Sequence, residues 1–295
     1  MTRPVTIDDK QRFEQCRNEL CKRLGNYISD LCFSSVLAWS ESLRTRCVFV
    51  GDFCCISVEF AGKWYQYAPL GSLEAYESFL EKMYPQEEIE LIMVSEQLLA
   101  VLRGLKNYRV EYSYDAAYSD YLYENASFLN FLDNADNRYD YNHFVRNHAP
   151  DFRLINELNK ADCVEVMDKY WCAGRDCGGC HFGCERKALQ NALAYFTPLG
   201  LCGALVYAKN EPIAFCIATH LSPEVIAYSF LKAARGIRGL QMYLLASFAC
   251  EAHREAARVN FSEDMGIEGL RSFKRRLAGF VLVCKYNVVL RRGNL

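Results

Sequence analysis

The chain has 295 residues, 51% of them apolar and 14% aromatic, which is enough hydrophobic material for one large core or two of about 150 residues and excludes a disordered segment. A formal charge of -2 excludes a global basic footprint for nucleic acid, so any tRNA contact must use a local patch such as Arg235 with Arg238, Lys274-Arg275-Arg276 or Arg291-Arg292. The start, M-T-R-P-V-T-I-D-D-K, lacks an apolar h-region and no run of about 18 apolar residues follows, so a soluble, cytoplasmic protein without an integral membrane segment is expected, its 15 cysteines reduced rather than paired.

In chain order, β-rich runs are expected near 46–50, 53–60 and 64–68, with Gly51-Asp52 and Gly62-Lys63 as turns. A helix follows from Leu73, stopped by Pro85, then a strand at 89–94, a helix opened by Ser95 and a strand at 107–114. Residues 116–150, rich in Tyr, Asn and Asp, read as a helical bridge with helices near 125–133 and 138–148, separating a domain over 1–115 from one over 151–295. In the second domain Glu185 opens a helix to Phe196. Leu201–Ala208 and Ile213–Thr219 are β-rich runs joined by Lys209-Asn210-Glu211-Pro212, and Val225–Leu231 is a third. The loop Arg235–Gly239 opens a helix with Leu240, Leu244, Phe248 and Ala252 at four-residue spacing; a strand at 259–261, a helix at 267–277 and a closing strand at 280–290 complete the order. Each half reads β-β-β-α-β-α-β, with no residue-level repeat between them.

Residues 260 to 274, N-F-S-E-D-M-G-I-E-G-L-R-S-F-K, pack charge and glycine into a strand-to-helix junction. Glu263 and Asp264 follow a strand end, Gly266 and Gly269 keep the backbone approachable, and Ile267, Leu270, Phe273 and Leu277 form an apolar helical stripe. The wording E-D-x-G-x-x-G-L-R-x-x-K, followed by Lys285 and Tyr286, resembles the C-terminal domain of phosphatidylglycerol lysyltransferases and their stand-alone relatives. Trp39, Tyr121-Leu122-Tyr123, and Arg138 with Asn142 and Phe144 agree with it. The family's K-R-N-x-x-N-x-F reads N-R-Y-D-Y-N-H-F here, with Asn137 for the first Lys and Tyr139 for the first Asn.

That resemblance, with the order of elements, implies an α+β fold of two tandem GNAT-like domains, their mixed, mainly antiparallel sheets flanked by helices. It also implies an aminoacyl-tRNA donor, and an acceptor that is a small molecule or peptide bearing an amine or hydroxyl, because the lysyltransferases' membrane-embedded portion has no counterpart in this chain. An aminoacyl ester is already activated, so such an enzyme has only to position the acceptor, help its proton leave and stabilise the oxyanion. Glu263 or Asp264 is expected as base or amine holder, Arg271, Lys274 and Lys232 as cations for phosphate or the carbonyl oxygen, and Tyr243 or Tyr286 as a proton relay. Asn260, Arg138 and Asn142 join the substrate-binding set. Arg235-Gly236-Ile237-Arg238-Gly239 stands where a GNAT fold cradles the pyrophosphate of coenzyme A, at a turn whose backbone N–H groups attract anions, but its glycine spacing departs from the usual pattern.

Cys172, Cys177, Cys180 and Cys184, spaced C-x4-C-x2-C-x3-C around His181, can ligate zinc or an iron-sulfur cluster, and the resemblance does not require a metal there. No Cys–His spacing suggests a cysteine nucleophile, and His143 and His148, five apart, do not share a helix face. Two rivals to the aminoacyl transferase are an acyl-coenzyme A N-acyltransferase and a non-catalytic metal-binding or regulatory module on the same scaffold.

Overall fold

The computed structural model describes residues 2–25, 27–84, 88–173, 183–253 and 255–292. They fall into two units, residues 1–119 with 283–295, and residues 120–282.

In the first unit β1 (Arg3–Pro4) is followed by helices α1 (Lys10–Leu24) and α2 (Phe33–Ala38) and by the antiparallel strands β2 (Arg46–Val50), β3 (Phe53–Phe60) and β4 (Lys63–Tyr67). Gly51 and Gly62 turn the chain at φ 55 and 78, as their positions between β-rich runs predict. Helix α3 (Tyr76–Met83) leads to β5 (Glu88–Ser95), which joins β4 in parallel; α4 (Glu96–Leu102) and β6 (Tyr108–Tyr114) follow. Ser95 opens α4 as expected, its Oγ accepting from the backbone N–H of Leu98 at 3.2 Å.

The second unit begins with β7 (Asp120–Glu124), α5 (Asn125–Leu129) and α6 (Ala135–Asn147), then β8 (Asp151–Leu154), α7 (Asp162–Met167), α8 (Glu185–Ala194) and α9 (Phe196–Leu199). Strands β9 (Cys202–Ala208), β10 (Glu211–Ser222) and β11 (Val225–Ala233) form an antiparallel meander; α10 (Leu240–Ala252) leads to β12 (Arg258–Asn260), parallel to β11, and then to α11 (Glu268–Leu277) and β13 (Phe280–Val283). Strand β14 (Lys285–Arg292) ends the described chain.

Among the described residues each unit holds a seven-stranded sheet, in the orders β1-β2-β3-β4-β5-β14-β6 and β13-β7-β12-β11-β10-β9-β8. The two sheets share a plan: three antiparallel strands, a parallel partner, and then a slot filled from a distant part of the chain. In the first sheet β14 fills that slot, antiparallel to both β5 and β6; in the second β7 fills it, antiparallel to β12. Two corrections to the sequence reading result. Residues 120–147 are not a bridge but the first strand and helices of the second unit. The expected strand 280–290 is two strands in different sheets, so Lys285 and Tyr286 belong to the first unit. The short run D-Y-L-Y-E carries no local mark of which sheet it enters, since its partners Arg258, Val259 and Asn260 lie far along the chain.

The second unit's core gathers Tyr123, Phe128, Phe144, Leu240, Leu244, Phe248 and Phe261, all buried. Each large apolar side chain contributes about 1.5–3 kcal/mol by leaving water. Pairing of β11 with β12 ends at Ala227 and Asn260, while β11 runs on to Ala233. The two chain segments that leave this divergence, residues 261–267 and 234–239, build the features described next.

Candidate functional site

Beyond Asn260 the backbone takes the left-handed region at Ser262 (φ 54), Met265 (φ 52) and Gly266 (φ 72) before α11 begins. Only the last is a glycine, so the turn must be held by bonds. Lys274, buried in α11, donates from Nζ to the carbonyls of Phe261 (2.6 Å), Ser262 (3.0 Å) and Glu263 (2.6 Å). Asp264, only 2% exposed, accepts from the Tyr121 hydroxyl (2.7 Å), Gly266 N–H (2.8 Å), and Arg271 through Nε (3.1 Å) and Nη2 (3.2 Å). Burial raises the pKa of Asp264, but the donors from Arg271, Tyr121 and Gly266 outweigh it and hold the carboxyl below its usual range. Asn260 accepts from Ser262 N–H (2.8 Å) and donates to Asp120 (2.9 Å), and Ser262 Oγ donates to the Tyr228 carbonyl (3.1 Å). Glu263 is half-buried beside this set.

The other segment joins β11 to α10. Gly236 (φ 80) and Gly239 (φ 82) are left-handed, and Gly239 caps the helix. A Cβ on Gly239 would lie 1.9 Å from the Asp140 carbonyl oxygen, so only glycine lets α6 lie against this helix start. Among the described residues no acceptor takes the backbone N–H groups of Gly236 to Gly239, which sit at the positive end of a 13-residue helix. A cleft of about 220 Å³ opens here, lined by Asp140, Trp171, Ala233, Arg235, Gly239 and Arg276 among others.

Most of its charges are engaged by a neighbour. Asp140, buried on α6, accepts from Arg238 Nε (2.7 Å) and from Arg276 Nη2 (3.1 Å), joining an arginine of the turn to one of α11. Lys232 pairs with Glu185 (2.8 Å) and stands over the Trp171 ring (4.5 Å). Arg235 lies over the same ring (4.7 Å), and the Trp171 indole is fixed by donating to the Ala233 carbonyl (3.1 Å).

Of the residues singled out by sequence, Asn260, Asp264, Arg271 and Lys274 thus share the first turn with Glu263, and Lys232, Arg235 and Arg238 share the second. Tyr243, one turn into α10, packs on Tyr141 and Phe144. Arg138, exposed, donates to the carbonyls of Leu132 and Asp133 (both 3.2 Å), and Asn142 is exposed on α6. Tyr286 sits in the first sheet against Tyr112 and Tyr114. Of the cysteine cluster, Cys172 and Cys184 flank a segment in which Cys177, Cys180 and His181 lie outside the described residues. Burial pushes the thiols of Cys47 and Cys202 up to about 11, which leaves these two poor nucleophiles. Asp140 and Trp171 are cleft residues that the sequence did not single out, while Arg276 was named only within the basic run Lys274-Arg275-Arg276. One signal was available: Asn137, Asp140 and Phe144 recur at helical spacing, placing a carboxylate on the buried face of α6.

The family model for the C-terminal part of phosphatidylglycerol lysyltransferase matches residues 21–288. The chain belongs to that family. No curated protein matches it. Among solved structures it is similar to a conserved protein of unknown function from Bacteroides thetaiotaomicron, with a TM-score of 0.84 at 22% identity over 99% of both chains. L-PGS from Bacillus licheniformis follows with 0.61 at 15% over 96% of this chain and 92% of that one. A tandem GNAT protein from the clavulanic acid biosynthesis pathway gives 0.50 at 9% over 100% and 99%. The fold is therefore α+β with two tandem GNAT-like domains, as the sequence reading holds, and among the described residues no helix is long and apolar enough to cross a membrane.

Proposed function

We propose that the chain is an aminoacyl transferase whose donor is an amino acid esterified to tRNA, its phosphates received at the start of α10. The observation that carries this reading is the cleft itself: unengaged backbone N–H groups at a helix start, with Arg235, Arg238 and Arg276 around them. Membership of the lysyltransferase family supports the aminoacyl donor over acyl-coenzyme A, as does the placing of Arg238 where the usual pyrophosphate turn has small residues.

In this reaction the acceptor's amine or hydroxyl attacks the ester carbonyl; a C–N or C–O bond forms, the ester C–O bond breaks, and the departing ribose oxygen takes a proton as the acceptor loses one. The cleft cations bind the donor. Asp264, Arg271 and Lys274 hold the turn after β12, Asp264 accepting from Arg271, Tyr121 and Gly266 and Lys274 donating to three carbonyls of the turn. Glu263 is the carboxylate we assign to the acceptor. The acceptor is a small molecule or peptide.

The test is to incubate the protein with tRNA charged with a labelled amino acid, with and without simple amines, beside labelled acetyl-coenzyme A. Protein-dependent loss of label from tRNA is expected. Binding and turnover of the coenzyme A ester with none of the charged tRNA would replace this reading by the acyl-coenzyme A one.

A further inference from the structure

Two arginines of the α10 turn are each laid on an aromatic ring. Arg235 lies over Trp171 at 4.7 Å, and Arg238 lies over Tyr139 at 4.6 Å. Trp171 is fixed through its indole N–H to the Ala233 carbonyl at 3.1 Å, and Tyr139, an exposed ring, stands on α6 one residue before Asp140. Arg238 is held a second time, by Nε on Asp140 at 2.7 Å, so its two terminal nitrogens, which take no acceptor among the described residues, extend from an anchored stem. Arg235 is exposed, and among the described residues no carboxylate lies within ion-pair reach of it.

A guanidinium laid on a ring keeps its outer edge available and loses little further freedom on meeting an oxyanion, the more so for Arg238, whose Nε is also held. Two guanidinium groups flanking Gly236 and Ile237 fit two phosphate groups in succession.

We infer that Trp171 and Tyr139 are positioning residues, shelves that hold Arg235 and Arg238 as a preformed reader of paired phosphates. The inference rests on the proposed phosphate-borne donor. The shared chemistry is two phosphate groups in succession, present as neighbouring phosphodiesters in an RNA backbone and as a pyrophosphate in coenzyme A.

The experiment measures binding of a labelled single-stranded octaribonucleotide, and separately of coenzyme A, across a salt series for the parent, Arg235→Gln, Arg238→Gln, Tyr139→Leu, Tyr139→Phe and Trp171→Leu. Each arginine variant is expected to flatten the log–log salt slope for RNA by about 0.7, one phosphate contact. Tyr139→Leu and Trp171→Leu are expected to weaken binding about two- to fivefold with melting temperature unchanged, and Tyr139→Phe, which keeps the ring, to restore the parent's affinity. If the parent binds and the Leu variants bind equally well, the shelves do nothing and the inference fails alone. If the parent binds neither probe, the phosphate reading of the cleft falls and takes the inference with it. Tight binding of coenzyme A without RNA keeps the shelves and assigns them to a diphosphate.

Discussion

Ser262 and Met265 carry side chains through left-handed backbone, each at a cost of roughly 1–2 kcal/mol, and the bonds converging on the turn offset it. Asp264→Asn should therefore destabilise the protein by about 1–3 kcal/mol, because the amide cannot accept from all the donors aimed at it. Arg271→Lys should lower the melting temperature while leaving donor binding unchanged, since one ammonium cannot span both carboxylate oxygens. Thermal melts and the labelled-RNA binding assay check both. If Arg271→Lys instead loses donor affinity at unchanged stability, Arg271 contacts the donor.

At the same scale His253 is fully buried between Tyr228 (2.9 Å) and Asn125 Oδ1 (3.2 Å). The Asn125 amide nitrogen already donates to the carbonyls of His253 and Ala256, so its oxygen accepts from His253 Nδ1–H and the Tyr228 hydroxyl donates to Nε2. Burial, with a smaller push from His220, lowers the imidazole to about 4 from 6.5. The folded state thus binds fewer protons, its stability is fully present above pH 6.5, and about 3 kcal/mol is lost as pH falls from 6.5 to 4. Urea unfolding across that range should show the loss in the parent and a flatter profile in His253→Asn.

Among the elements, the join of α6 to α10 turns on one glycine. Gly236 and Gly239 both have positive φ, but a Cβ at 236 meets nothing within 4 Å whereas one at 239 runs into the Asp140 carbonyl. Gly236→Ala should cost about 1–2 kcal/mol, the backbone term alone. Gly239→Ala should cost clearly more, because α6 must shift with its Asp140 clamp. Equal unfolding midpoints for the two variants would show that the contact yields. The loop was legible as a helix start. That its second glycine answers to a helix about a hundred residues upstream was not, because nothing near Gly239 in the sequence refers to Asp140.

For the whole molecule, the strand slots decide what can fold. A fragment of residues 120–283 contains every strand of the second sheet, while 151–295 lacks β7, α5 and α6 and ends on a strand of the first sheet. The first fragment is expected to melt cooperatively with native near-ultraviolet dichroism and the second to lack it. Deleting residues 285–295 from the full chain removes β14 from between β5 and β6, so hydrogen exchange should rise in residues 88–114. A rise confined to residues 201–283 would instead put the last strand's stabilising role in the second unit.

The sequence by itself determined the local elements: the strands of both meanders, the Ser95 cap, the α10 stripe and the family wording around Asp264. These are written in neighbouring residues, through side-chain alternation, glycine at positive φ and helical spacing. The burial of Lys274 corrects the reading of Lys274-Arg275-Arg276 as one basic patch: Lys274 stands between Leu270 and Leu277 on the apolar face of α11, but a run of three basic residues reads more simply as a wet face. Only the tertiary structure decided that β7 and β14 enter their slots, and that Arg238 and Arg276 share Asp140. It alone laid Arg235 and Arg238 on Trp171 and Tyr139. Strand partners are chosen by backbone hydrogen bonds that every residue offers alike, and an arginine's partner is whichever carboxylate or ring the fold carries to it, so neither choice leaves a trace in local sequence.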